Sequence, residues 1–461
     1  MPTLPRLKTS LRGLLCGLVG TTALGAAHAQ SVTPGNATPP REGAVESGQY
    51  RSLFYEIGKT PIEIADKLRY AYYVYFEDPN VSTTDPANGT NRLYFDYDAD
   101  EAYILNPKTY DGANPVDVRS EGQSYGMMIT VQMNDQARFD KLWRFAYERM
   151  LYKSGPWEGY FCWKFNPLPI GANQGSCVGN TPAPDGEVYF AAALYIAHAR
   201  WGSEAGTGPK NYKYWADEIT REMLHQEEDN GGRVDGVTNI IDRATNQIVF
   251  VPYYSSAEHT DPSYHLPHFF ELFAQRGPVA DRQRWAAVAK TSRDYLNRLR
   301  QKNPRTCLSP EYATFSADPY QSPYNAESTL HVADAWRVAG NVGMDTYWWA
   351  EDPRQALHAN CLLDFFYDAN RGGGGLENGG AYFQRYALDG TPLERNYPRW
   401  GGQQGMNAAA VLAARVPNGD WPYAFVEDLW NAGPPTGGDR YYSGMLYMLG
   451  TLSASGMYRA Y

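Results

Sequence analysis

The sequence has no excess of positive charge. Its 461 residues carry 41 lysines and arginines against 51 acidic residues, a formal net charge of −10. That balance argues against nucleic acid and against anionic membrane surfaces, and is compatible with a neutral polymer. Past Leu24 no run of twenty apolar residues occurs, so no membrane anchor is expected. Cysteine is scarce. Once Cys16 near the N-terminus is set aside, Cys162, Cys177, Cys307 and Cys361 remain. No Cys-x-x-Cys and no paired-histidine spacing supports a zinc site, so no metal or cofactor is expected. In an oxidising compartment two disulfides are possible, with three connectivities, and Cys162 with Cys177 would close the shortest loop. Four buried free thiols are an equal alternative. No repeat at fixed period and no linker after residue 48 divides the chain.

The N-terminus has the pattern of a secretory signal. Arg6, Lys8 and Arg12 form a basic start, Leu14 to Leu24 is a short apolar stretch, and Ala27-His28-Ala29 is a small-x-small cleavage site. Residues 1–29 are expected to be removed near Ala29, leaving a secreted or periplasmic protein. Losing three positive charges takes the net charge to −13. Residues 30–47, rich in Ser, Pro, Gly and Thr, are expected to be a flexible leader.

The remainder, residues 48–461, is long enough for a substantial core. Apolar residues recur at helical spacing over 61–76, 123–151, 187–201, 211–226, 265–276, 280–300, 328–342, 346–366, 405–415, 422–431 and 441–456. Long loops dense in Gly, Pro, Asn and Tyr separate them. Residues 247–251 are β-prone. This many helices without strand–loop–helix units predicts an all-α domain over 48–461, its helices paired around a common centre and its function in loops at one end. Aromatic residues make up 14% of the chain. Most are expected in the core, but Trp163 and the pair Tyr441-Tyr442 stand out as candidate sugar-stacking residues.

Three carboxylates sit in unusual settings. Glu121 lies in Ser120-Glu121-Gly122-Gln123-Ser124-Tyr125-Gly126, just ahead of an apolar helix. Asp185 lies in Pro184-Asp185-Gly186-Glu187. Asp334 lies in His331-Val332-Ala333-Asp334-Ala335-Trp336-Arg337, which reads as helix. Glu121 could simply satisfy helix N-terminal amides, and Asp185 could be an N-cap. Asp334 with Arg337 at i, i+3 could be a surface ion pair. Spacing alone favours the first two of these readings and leaves the third undecided. A pair of carboxylates is also what glycoside hydrolysis commonly needs: one neutral acid for the departing oxygen, one carboxylate as base or nucleophile. The segment Thr260-Asp261-Pro262-Ser263-Tyr264-His265 reads as a loop entering a helix. Asp261 there could be a cap, His265 a structural histidine, and Tyr264 a phenol able to hold a water.

At these segments the chain resembles glycoside hydrolase family 8, from about Gly48 to Tyr461. Pro-Asp-Gly-Glu followed by Tyr-Phe and ending in Ala199-Arg200-Trp201-Gly202 is similar to the family signature. Ser-Glu-Gly-Gln-Ser-Tyr-Gly-Met and Asp-Pro-Ser-Tyr-His-Leu-Pro are also close, and together they point to the xylan-active branch. The resemblance implies a single catalytic (α/α)6 barrel with long loops and a few short strands. It implies Glu121 as general acid, Asp334 as general base, and Asp185 as binder of the distorted sugar and support of the acid. Tyr264 would position the water and Arg337 would sit beside the base. Trp163, Tyr442, Tyr125, Trp400 and Arg399 would contact substrate.

The implied activity is inverting cleavage of β-1,4-xylosidic bonds in xylan or xylo-oligosaccharides, by a monomer. The family's reducing-end xylose-releasing exo-enzymes carry a Leu-His-Pro loop, and the matching stretch here is Asn396-Tyr397-Pro398-Arg399-Trp400-Gly401-Gly402-Gln403. Its lack of the histidine, with the secretory signal, favours an endo-1,4-β-xylanase over a reducing-end xylose-releasing exo-oligoxylanase. Another β-1,4-glucanase of the family and a non-catalytic xylan-binding protein rank lower, the latter because all three acids are present.

Overall fold

Among the described residues, twelve helices of nine or more residues alternate between an inner and an outer ring. In chain order they are α1 (Pro61–Tyr72), α2 (Ser120–Gln132), α3 (Gln136–Phe145), α4 (Pro184–Trp201), α5 (Tyr212–Asp229) and α6 (Pro267–Arg276), followed by α7 (Arg282–Lys302), α8 (Arg337–Trp348), α9 (Arg354–Tyr367), α10 (Gly401–Ala410), α11 (Tyr423–Asn431) and α12 (Arg440–Ser455). The even-numbered helices pack each on the next, and α12 closes the ring on α2. Each odd-numbered helix covers an even-numbered one from outside. This is the (α/α)6 barrel. The computed structural model describes residues 41–79, 90–109, 116–167, 175–394, 399–416 and 419–461, all within one compact unit. Residues 1–29, 30–40 of the leader and 395–398 of the loop before Arg399 lie outside the described residues.

Burial sorts the two rings. The outer helices α3, α5 and α7 are amphipathic, with one apolar stripe inward. The inner helices α2, α8 and α12 are enclosed nearly all round. Every residue of α8 is buried, every residue of α2 except Glu121, and every residue of α12 except Tyr442. The two exceptions lie in the first turns of their helices, at one end of the ring.

Several boundaries differ from the sequence reading. The expected helix 123–151 is two helices, broken where Asn134 takes a positive φ of 62° and Asp135 caps α3 by accepting from the Arg138 amide. The expected helix 328–342 begins only at Arg337, so Asp334 lies in a short 3-10 turn, Ala333–Trp336. The expected helix 346–366 starts at Arg354, because α8 continues to Trp348 and Ala350 turns with φ 54°. Residues 247–251 form no strand; Ile248 makes one isolated bridge to Ile241. The leader also ends earlier than expected. Ala44–Ser47 is a helical turn whose Ala44 is fully buried against the core.

Short strands trim the loops. The hairpin β1 (Tyr94–Asp96) with β2 (Ala102–Ile104) precedes a three-stranded sheet of β3 (Val118–Arg119), β4 (Lys164–Asn166) and β5 (Ser176–Gly179). A further pair joins β6 (His259–Thr260) to β7 (Ala313–Thr314). Disulfides link Cys162 to Cys177 and Cys307 to Cys361. The first fastens the β4–β5 hairpin, and the second ties the segment after α7 to α9.

Candidate active site

Glu121 is placed by a strand as much as by its helix. β3 pairs with β4, the Ser120 amide donates to the Trp163 carbonyl at 3.0 Å, and α2 starts at once. Asp185 follows Pro184 at the first position of α4, where a missing N–H costs nothing. The two helix starts can approach because of glycine. A Cβ on Gly186 would lie 2.6 Å from Ser120 Oγ, and one on Gly122 would lie 2.3 Å from the Tyr441 ring. These two glycines, both in the motifs read from sequence, are close-approach positions.

Arg337 is the hub. Its Nη1 donates to Glu121 Oε1 (3.1 Å), Tyr125 Oη (2.8 Å) and Asp185 Oδ2 (2.6 Å). Its Nη2 lies 3.3 Å from Asp334 Oδ1 and 3.5 Å from Asp261 Oδ2. The guanidinium also stands over the Tyr264 and Tyr442 rings, at 5.6 and 5.9 Å. One cation thus serves four carboxylates. Glu121 and Asp334 contact different nitrogens of the same fork, so they face one space without touching through a shared hydrogen bond.

Electrostatics separates the acids. Burial pushes the Glu121 carboxyl up to about 8; Arg337 opposes this, while the neighbouring Asp185 and Asp334 add to it. Its surroundings therefore favour the protonated form of Glu121, and the Tyr441 hydroxyl donates to its Oε2 at 3.1 Å. Burial also raises Asp185, against the pull of Arg337. Asp334 differs in access. About a third of its side chain is exposed (32%), against 13% for Glu121. Asp334 is therefore the more solvent-accessible of the two.

The remaining expected residues divide. Tyr264 is buried beside Arg337, with its phenol raised chiefly by burial, so it stays a donor. Tyr442 sits at the rim with its hydroxyl on the Ala333 carbonyl (3.0 Å), in the turn that carries Asp334. Trp163 lies at the β4 edge, with the Arg119 guanidinium 5.7 Å from its ring. Trp400 stands edge to face on Trp336, 5.9 Å between centroids and 79° between planes, two residues beyond Asp334. Two expected substrate contacts are engaged by the protein itself. Tyr125, expected to touch substrate, is fully buried and its hydroxyl is taken by Arg337. Arg399, also expected to touch substrate, is clamped by Asp428 of α11 and lies over the Tyr382 ring at 5.3 Å.

Sequence reasoning also missed partners. Asp261 appeared only as a cap, and it does accept from the Ser263 amide (2.7 Å), yet its Oδ2 faces Arg337. Its cap spacing hid that second role. Glu311, in a loop with no motif, accepts from the Asp334 amide (3.4 Å) and from Asn325 (2.6 Å), and burial raises it to about 7. Nothing in its neighbours marked it. His265 is the structural histidine expected, stacked on Tyr295 and bonded to Ser292, its pKa lowered by burial to about 3. Among the described residues no group of three or more His, Cys, Asp or Glu is arranged to hold a metal, and no helix is long and apolar enough to cross a membrane.

Known proteins share this fold. Residues 109–373 match the model of glycosyl hydrolases family 8. The reducing-end xylose-releasing exo-oligoxylanase Rex8A of Paenibacillus barcinonensis is 35% identical over 91% of this chain and 99% of its own. A second enzyme of that name, from Halalkalibacterium halodurans, is 34% identical over 91% of this chain and 96% of its own. Among solved structures, Rex8A complexed with xylose superposes with a TM-score of 0.76, covering 91% of this chain and 99% of that one. A xylobiose complex of a family 8 protein from Teredinibacter turnerae reaches 0.77 at 38% identity, with 91% and 99% covered. Motifs, fold and relatives agree, and the chain belongs to glycoside hydrolase family 8.

Proposed function

We propose that this hydrolase cleaves β-1,4-xylosidic bonds of xylo-oligosaccharides by a single displacement that inverts the anomeric centre. Glu121 gives its proton to the departing glycosidic oxygen. Asp334 takes a proton from a water as that water's oxygen bonds to the anomeric carbon. Inverting enzymes hold their two carboxyls about 6.5–9.5 Å apart to leave room for this water. The observation that carries the reading is the Arg337 fork, which holds the buried, upward-shifted Glu121 on one nitrogen and the more exposed Asp334 on the other. Asp261, beside the nitrogen that meets Asp334, and Tyr264, whose ring lies under the guanidinium, orient the water in this reading. Asp185 shares the Arg337 nitrogen of the acid and is placed to bind the sugar.

For the mode of action, the sequence alone favoured endo cleavage. The weight of the relatives shifts the preference to release of xylose from the reducing end, since those at 33–35% identity over most of this chain bear that name. The endo reading keeps two supports. A neighbour at 38% identity is described as a xylanase, and residues 396–403 contain no Leu-His-Pro. Xylotetraose labelled at its reducing end separates the two. Labelled xylose as the sole first product is expected; a mixture of labelled xylose and xylobiose would overturn the exo reading. Proton NMR of fresh products should show the α-anomer first, and initial β-anomer would refute inversion. Secretion rests on residues 1–29 and on the two disulfides, which suit an oxidising compartment. The single catalytic domain over 48–461 is part of the same reading.

A further inference from the structure

We propose a second saccharide-binding site on the outer wall of the barrel, apart from the acid cluster, which holds one unit of a neutral xylan or xylo-oligosaccharide chain. The inference rests on the proposed substrate. A cavity of about 230 Å³ opens between the end of α3 and the face of α5. Drug-sized sites occupy roughly 300–1,000 Å³, so this one has room for a single sugar ring. Tyr147, Tyr152, Tyr214 and Trp215 line it, and none of the four is fully buried.

The rings are held in advance. Trp215 Nε1 donates to the Thr207 and Gly208 carbonyls at 3.1 and 3.2 Å, and Tyr152 Oη donates to the Asn180 carbonyl at 3.0 Å. Tyr147 and Tyr214 meet Trp215 edge to face, at 4.9 and 5.2 Å. Around them stand Glu158, Glu218 and Glu222. Arg221 pairs with Glu222, and Lys153 pairs with Glu148 at 2.6 Å while standing 4.4 Å from the Tyr147 ring. This leaves Tyr152, Tyr214 and Trp215 as the open rings and Glu158 and Glu218 as the acceptors.

This combination selects its ligand. An acidic sugar would be repelled, and an apolar ligand would strip water from carboxylates without replacing their hydrogen bonds. A neutral polyhydroxylated ring satisfies both halves: its C–H face packs on an aromatic, and its hydroxyls donate to carboxylates. No lining residue belongs to the acid cluster. The neutral pentose chain of the proposed substrate is the occupant that meets these terms.

The test uses the full chain carrying Glu121→Gln, titrated calorimetrically with xylohexaose. Two sites per chain are expected. Adding Tyr214→Ala, or separately the near-isosteric Glu218→Gln, should leave one site and weaken retention on insoluble xylan about tenfold. In the active enzyme both substitutions should leave kcat/KM on xylotriose unchanged. One site in the Glu121→Gln chain, or two sites that neither substitution alters, overturns the proposal. If wild type fails to cleave labelled xylotetraose, it is the substrate reading that fails instead.

Discussion

Helix α8 carries a buried ionic cluster at each end, and the two are built on opposite principles. Toward its C-terminus, Asp345 receives Arg293 of α7 through three contacts of 2.8–3.2 Å, and Gln355 through a fourth at 3.1 Å. Arg293 also donates to Glu271 at 2.9 Å. One guanidinium meets two carboxylates, and nearly every lone pair is engaged. At its N-terminus, Arg337 meets four carboxylates, and Asp261 Oδ2 is left without a hydrogen-bond donor. The first arrangement is satisfied and binds an outer helix to an inner one. The second disfavours full ionisation of its acids, and burial raises Glu121, Asp185 and Asp261. Buried ion pairs contribute little net stability. An undersupplied cluster has a different use, since unequal pKa values make an acid and a base from the same chemistry.

The contrast between the two ends breaks first at the acids. Glu121→Gln and Asp334→Asn should each lower xylo-oligosaccharide hydrolysis by on the order of 10²–10⁴, with thermal unfolding little changed. Near wild-type turnover by either folded variant would remove that residue from its role. At the other end the effect should reverse. Asp345→Asn leaves Arg293 with Glu271 as its remaining carboxylate and should cost up to about 3–5 kcal/mol of stability in denaturant unfolding, while kcat of the folded fraction stays at the wild-type level. A loss of kcat there would mean that the two clusters are coupled.

A smaller effect is titration. Glu121 has its folded value, about 8, above its ordinary 4.5. Its neutral form is the one the fold accommodates. Its contribution to stability is therefore complete below 4.5 and is lost as pH rises toward 8. Activity should fall along an alkaline limb near 8 as the acid loses its proton. In Glu121→Gln the stability slope between 4.5 and 8 should flatten; an unchanged slope would assign it to other buried acids such as Glu187, which burial also raises to about 8. The smallest effect concerns Trp400. Trp400→Ala should change the preference between long and short xylo-oligosaccharides with little change in turnover on the shorter. Equal effects on both lengths would remove Trp400 from the cleft.

Much of this was legible because the requirements were local. Periodicity exposed the helices, since outer helices need one apolar stripe and inner ones need apolar residues all round. Glu121 and Asp185 were visible because each sits by a glycine that the packing of helix ends demands. What stayed hidden depends on distance. Whether Asp334 lay inside a helix or in the turn before it depends on Tyr442 holding the Ala333 carbonyl from α12. Glu311 acts only because its loop crosses behind Asp334. Arg399 looked free until Asp428 of α11 came alongside. Tyr125 looked like a substrate contact because an aromatic beside an acid is ambiguous until its hydroxyl finds Arg337.

The seam of the ring has a consequence in time. Tyr441, at the start of α12, reaches Glu121 of α2 across 320 residues of sequence, and Arg337 reaches it across 216. Contacts so remote in sequence form late, because loop closure must precede them. Individual helix pairs can assemble early, each from neighbouring segments. The proton on Glu121 acquires its environment only when the last inner helix meets the first. During refolding, helical content should therefore recover ahead of activity, and Glu121 reports on ring closure rather than on helix formation.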